Sequence, residues 1–310
     1  PPITTASRIF AENLGEDAAD ATLRPNPSQS IGQDQRQATR TRLITCDSLL
    51  TVSDCAPRLD NISGAEPPVR AKCKDNFMTS SARRAFEHAL SLERAGDGEA
   101  ALAAYLEALE LAPDDVEIAY RTATALLRAG MLEEAVSQLR RIVFAEPAHT
   151  AARANLGNCQ LLLGDLANAE LNFQEVLEGA PDNHNALYGL ATVRLQQDKP
   201  QEALAPAQRL VDLLPNSAPA QTLYAQSRAR DPQPSAAIAA FRKAIQIDPA
   251  YVPALTGLAE VLIRARRFSE AITLGKEAMA LQPGNADTYR IVASAHQAAG
   301  DFATARDVLL

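Results

Sequence analysis

The chain has no tryptophan, and aromatic residues make up only 5% of it. That scarcity argues against a β-sandwich, whose core leans on large rings. Positive charge is short as well: 30 Lys and Arg stand against 38 Asp and Glu, for a net charge of −8. Such a surface repels the phosphates of nucleic acid and of anionic membranes, so neither is an expected partner. Cys46, Cys55, Cys73 and Cys159 include no C-x-x-C pair, so no zinc signature exists. They read as reduced or incidental thiols, and a Cys46–Cys55 disulfide has only closeness in its favour. No apolar run approaches the ~20 residues that cross a bilayer. The opening stretch PPITTASRIFAENLGEDAAD lacks the basic-then-apolar order of a secretory leader. A cytoplasmic location is the expectation. The excess of Arg over Lys, 25 to 5, points to a GC-rich bacterial genome.

What is plentiful is alanine and leucine, which favour helix. The pattern changes near Met78. Residues 1–77 carry 9 basic and 10 acidic residues and no sustained period of 3.6 or 2. Pro1-Pro2, Pro25-Asn26-Pro27 and Pro67-Pro68 punctuate them, and the apolar pieces at 43–45 and 49–52 are too few for a core. This segment reads as mostly disordered, or as a leader, because Met78-Thr79-Ser80-Ser81 makes a natural start with Ser and Thr just before a helix. Residues 78–310 form the second part.

That part repeats. Pro113, Pro147, Pro181, Pro215, Pro249 and Pro283 follow one another at steps of 34 residues. Counting each unit so that its proline is position 32 starts the units at 82, 116, 150, 184, 218, 252 and 286, the last stopping at its position 25. Position 20 is always alanine, from Ala101 through Ala135 to Ala305. Position 8 is always small: Ala89, Ala123, Gly157, Ala191, Ala225, Ala259 and Ala293. Position 24 is usually bulky, as Tyr105, Leu139, Phe173 and Phe241. Small residues at 8 and 20 let two helices cross at ~8–10 Å. Position 15 is glycine at Gly96, Gly130, Gly164 and Gly300, suited to the left-handed residue that ends a helix. Asp97, Asp165 and Asp301 then stand at the start of helix B, and Asp115, Asn183 and Ser217 stand where they can cap the next helix A.

A small residue at 8, alanine at 20, an aromatic at 24 and proline at 32 resemble the tetratricopeptide repeat (TPR). The resemblance covers residues 82–310 and is strongest in unit three, TAARANLGNCQLLLGDLANAELNFQEVLEGAPDN. Position 4, usually tryptophan in the family, is never tryptophan here. The resemblance implies an all-α fold, a right-handed superhelical solenoid of helix-turn-helix units with a 34-residue period.

Three units depart from the pattern. Unit four has Pro206 inside helix B and Ala207 at position 24. Unit five replaces the glycine turn with Asp231-Pro232-Gln233-Pro234, and unit six has Arg266 at position 15 and Gly275 at position 24. Units four to six are therefore expected to exchange amide protons faster than units one to three.

No catalytic pattern appears. GDGEAA (96–101) matches a dinucleotide-binding string but follows a helix and fills an inter-helix turn. His88, His149, His184 and His296 form no ligand pair. The Asn61-Ile62-Ser63 sequon carries little meaning without a secretory leader. No catalytic, metal or cofactor residues are expected, and no enzyme activity within these residues. The resemblance places helix A on a concave face, with positions 2, 5, 9, 12 and 13 turned inward. Carried over, this gives Phe86, Tyr120 and Tyr188 at position 5, and Thr124, Asn158, Thr192, Gln226 and Glu260 at position 9. Position 13 gives Arg94, Arg128, Arg230 and Arg264. Such a groove holds an extended or helical peptide, and its arginines favour an acidic one. Arginine at the end of helix A is equally explained by the helix dipole alone. The carboxylate clamp of chaperone-binding members is not reproduced. The expected function is a protein-interaction scaffold. The alternative is the N-terminal arm of a larger enzyme, of sulfotransferase or O-linked glycosyltransferase type. Self-association through the apolar edge at Val308-Leu309-Leu310 is a further expectation.

Overall fold

The structure, a computed structural model, describes residues 80–310. The expectations for the N-terminal segment, with Cys46, Cys55, Cys73, the Asn61 sequon and the short apolar pieces, lie outside the described residues. Within 80–310 there are fourteen α-helices and no strand. They pair as α1 (Ser80–Arg94) with α2 (Gly98–Leu111), α3 (Val116–Arg128) with α4 (Leu132–Ala145), and α5 (Thr150–Leu162) with α6 (Leu166–Gly179). Next come α7 (His184–Gln196) with α8 (Pro200–Leu213) and α9 (Ala218–Arg228) with α10 (Ser235–Ile247). The series closes with α11 (Val252–Arg264), α12 (Phe268–Leu281), α13 (Ala286–Ala298) and α14 (Phe302–Val308). Each helix packs on its neighbour in the chain, and from α3 onward the first helix of each unit also touches the first helix of the next. The result is a solenoid of helical hairpins.

Local chemistry sets the ends of these helices. Asp97, Asp115, Asp165, Asn183, Ser217 and Asp301 each accept a hydrogen bond from the backbone N–H three residues on. His149 does the same for α5 through Nδ1. Gly96, Gly130, Gly164 and Gly300 have φ between 77° and 88°. Asp198 and Arg266, at the same position, keep the left-handed turn at φ 61° and 62° without being glycine. The turn geometry is thus imposed by the stacked hairpin, and GDGEAA is one such turn.

The alanines at position 20 and the small residues at position 8 line the buried seam, nearly all below 3% exposure. Position 24 does more than fill space. Phe173 is fully buried, and a Cβ built on Gly157 of its own unit would sit 2.8 Å from its ring. A Cβ built on Gly189, position 6 of the next unit, would sit 2.2 Å from the ring. Phe241 meets Gly257, again position 6 of the next unit, at 2.6 Å. Where position 24 is small, position 6 of the next unit is large: Leu223 follows Ala207, and Ile291 follows Gly275. Ala207 and Leu223 share one buried cluster. The departure at Ala207 is therefore matched by Leu223, and the space beside Gly275 is taken by Val292, position 7 of the next unit.

Pro206 is accommodated in a related way. Helix α8 runs through it unbroken. A proline at 206 cannot donate to the carbonyl of Glu202, its partner one turn back. That oxygen instead accepts a hydrogen bond from Arg194 Nη1 at 2.9 Å. Arg194 also pairs with Glu170 of the preceding unit at 3.3 Å.

Candidate peptide-binding groove

The inward positions of the first helices fall into two groups. In units one to three, four of the six residues expected there are held in contacts within the chain. The Phe86 ring lies 5.9 Å from that of Tyr105. Tyr120 stacks on His149 at 4.9 Å, and its hydroxyl accepts from Asn155 Nδ2 at 3.2 Å. Burial pushes the Tyr120 phenol above the ordinary tyrosine range. Thr124 Oγ1 donates to the Tyr120 carbonyl, its own helix's previous turn, at 2.9 Å. Arg128 is ion-paired with Glu93, which also accepts from the Tyr105 hydroxyl at 2.6 Å. Burial works against ionisation of Glu93, but the Tyr105 hydroxyl and the Arg128 guanidinium together hold its carboxyl below the usual range. Asn158 is fully buried, and neither atom of its amide has a partner. Arg94 is exposed at the end of α1.

In units four to six the groove is open. A hollow of about 670 Å³ lies among α7, α9 and α11 and reaches Leu161, Leu162 and Gly164 at the end of α5 in unit three. Of the residues expected to face a partner, Tyr188, Thr192, Gln226, Arg230, Glu260 and Arg264 line it together. Phe86, Arg94, Tyr120, Thr124, Arg128 and Asn158 are not part of it. The walls are apolar, with Leu161, Leu195, Leu223, Pro219 and Pro253. The two prolines occupy position 2 of units five and six, an inward column in which sequence reading singled out no residue.

Two polar lining residues that sequence reading did not name stand out. Thr222 holds position 5 of unit five, in the same column as Tyr120 and Tyr188, but was passed over because that column was read for aromatic rings. It is 3% exposed, and its hydroxyl has no hydrogen-bond partner. Tyr251 precedes α11, at position 34 of unit five, outside the inward columns. Its phenol is hydrogen-bonded to that of Tyr188, so the two rings meet across the unit that carries Thr222. Burial drives both phenols above the ordinary tyrosine range, and for Tyr251 the nearby Tyr188 and Asp248 add to it.

The position-13 arginines reach back to the preceding unit. Arg230 is ion-paired with Asp198, and Arg264 Nη2 donates to the Ala229 carbonyl at 3.0 Å. With Arg128 on Glu93, three of the four are engaged this way. Cys159 is buried, which pushes its thiol up to about 12, far from a reactive thiolate. Among the described residues no helix is long and apolar enough to cross a membrane, and no group of three or more His, Cys, Asp or Glu could hold a metal ion.

Comparison with known proteins adds to this geometry. Residues 86–147 and 120–184 match one tetratricopeptide repeat family model, and 160–227 and 231–274 match a second. The chain belongs to the tetratricopeptide repeat family. It is 33% identical over 102 residues to the protein CTR9 homolog of Arabidopsis thaliana, covering 33% of this chain and 9% of that protein. It is 34% identical over 90 residues to DnaJ homolog subfamily C member 3 of Rattus norvegicus, covering 29% of this chain and 18% of that one. The matched stretch is thus less than a fifth of the length of either curated relative. A tetratricopeptide repeat protein from Parabacteroides merdae shares the fold, with a TM-score of 0.60 at 17% identity over 74% of this chain and 93% of that one.

Proposed function

We propose that this array is a protein-binding scaffold and that the hollow in units four to six receives an extended segment of a partner protein. One observation carries the reading: six residues expected from sequence to face a partner converge on a single open hollow. Concave sites that join apolar walls to a few polar groups are where proteins take up ligands. Thr192, Gln226 and Thr222 offer hydroxyl and amide groups to a peptide backbone, while the leucines and prolines receive its side chains. Family membership supports the reading, because stacked hairpins create extended concave surfaces.

The test places a photoreactive benzoylphenylalanine at Gln226 and, separately, at the exposed Phe144 outside the hollow. Crosslinking in the native cell is expected to yield a discrete adduct from Gln226 alone, lost when Thr192→Trp fills the hollow. An adduct that forms equally from both sites, or survives Thr192→Trp, would overturn the assignment.

A further inference from the structure

Resting on that reading, we infer that the hollow selects an uncharged extended peptide segment, and that the Thr222 hydroxyl is the group that receives its backbone amide. The charge inventory comes first. Arg230 and Arg264 are the cations of the lining, and Asp198 and Glu260 its carboxylates, so the lining carries no net charge. Arg230 is paired with Asp198 in an exposed ion pair, and Arg264 gives one hydrogen bond to a backbone carbonyl. A ligand carboxylate would shed water to meet arginines that are engaged, and Glu260 would repel it. A ligand cation would find Glu260 one turn from Arg264. Desolvating either charge between leucine and proline walls is unfavourable without a dedicated partner.

Thr222 is the second observation. A buried hydroxyl with no partner is a standing cost that a bound acceptor or donor removes. Thr256, at the same position of unit six, satisfies itself on the Val252 carbonyl one turn back at 3.0 Å, as Thr124 and Thr192 do on their own helices, and Thr222 does not. The hydroxyl is closed to solvent in the free chain, so a ligand reaches it only when a neighbouring side chain of the lining turns aside. An amide, which donates and accepts, serves the hydroxyl in either role. Three adjacent first helices at ~10 Å spacing span roughly six extended residues.

The test uses three panels of random ten-residue peptides, one uncharged, one acidic and one basic, against the intact chain. The expected result is retention of uncharged peptides, abolished by Thr192→Trp. Thr222→Val should weaken the best of them about 3- to 10-fold. Valine matches threonine in shape and relieves the unpaired hydroxyl, so the variant is expected to melt no lower than the parent, which separates lost binding from lost folding. Preference for the acidic or basic panel, with binding still blocked by Thr192→Trp, overturns the inference and leaves the groove reading standing. Unchanged affinity in Thr222→Val does the same. Retention of no panel, or retention indifferent to Thr192→Trp, overturns both.

Discussion

The ring of Phe173 occupies the space where a side chain on Gly189 would begin, with its Cζ 2.2 Å from the position a Cβ would take. Two units share this contact: the ring comes from the second helix of unit three, and the gap from the first helix of unit four. One unit later the arrangement is inverted, with Ala207 small and Leu223 large. The array is held together by such exchanged volumes as much as by its alanine seam.

Gly189→Leu alone should overpack this site and destabilise the protein by at least ~1–3 kcal/mol. Phe173→Ala alone should cost ~3–5 kcal/mol through the cavity it opens. The double variant rebuilds the Ala207–Leu223 arrangement and should recover at least ~2 kcal/mol against the sum of the singles. Urea denaturation of the four proteins measures this coupling; additive losses would show that the two positions do not share one space.

The Arg194–Glu202 contact makes a similar prediction for Pro206. In Pro206→Ala the backbone N–H of residue 206 becomes available to the Glu202 carbonyl, and Arg194 is no longer its only donor. Arg194→Met should then cost less in the Pro206→Ala background than in the parent, by ~0.5–1.5 kcal/mol. The Glu170 pairing lost with Arg194 cancels in the cycle. Equal costs in both backgrounds would mean that the guanidinium does not repair the proline gap.

Glu93 links stability to pH. Its carboxyl is held below its ordinary value of 4.5 in the folded chain, so its contribution is fully present above that value and is lost as pH falls through the lower folded value. The stability gap between the parent and Glu93→Gln should therefore be largest near neutrality and shrink between about pH 5 and about pH 3. Denaturation midpoints across this range report it. A gap that widens on acidification would contradict the assignment of Tyr105 and Arg128 as the groups that hold the charge.

Much of the fold was legible because a proline at every thirty-fourth residue fixes the hairpin length, and the caps and turn glycines recur in phase with it. Half of the residues read from the inward columns, six of twelve, line the hollow for the same reason. Two things escaped. The arginines at position 13 looked free because a column compares one unit with the next at equal positions, whereas Arg128 reaches Glu93 at position 12 of the unit before. Units four to six looked poorly packed through Pro206, the 231–234 turn and Arg266, and also because position 24 was judged alone. Its volume makes sense only when read together with the following unit. Tyr251 escaped for a plainer reason: it sits in the loop between units, where a helical period has nothing to say.

The alternation of Phe173–Gly189, Ala207–Leu223 and Phe241–Gly257 gives this stretch of the chain a reading frame of two units. Excising unit four alone, residues 184–217, would drive Phe173 into Leu223, whereas excising residues 184–251 would set Phe173 beside Gly257, a junction the chain already tolerates. Growth or shrinkage of such an array by duplication is compatible with its packing only in pairs. The hollow runs across this frame, from Leu161 of unit three to Arg264 of unit six, so deleting one hairpin from it should break the packing beneath its walls.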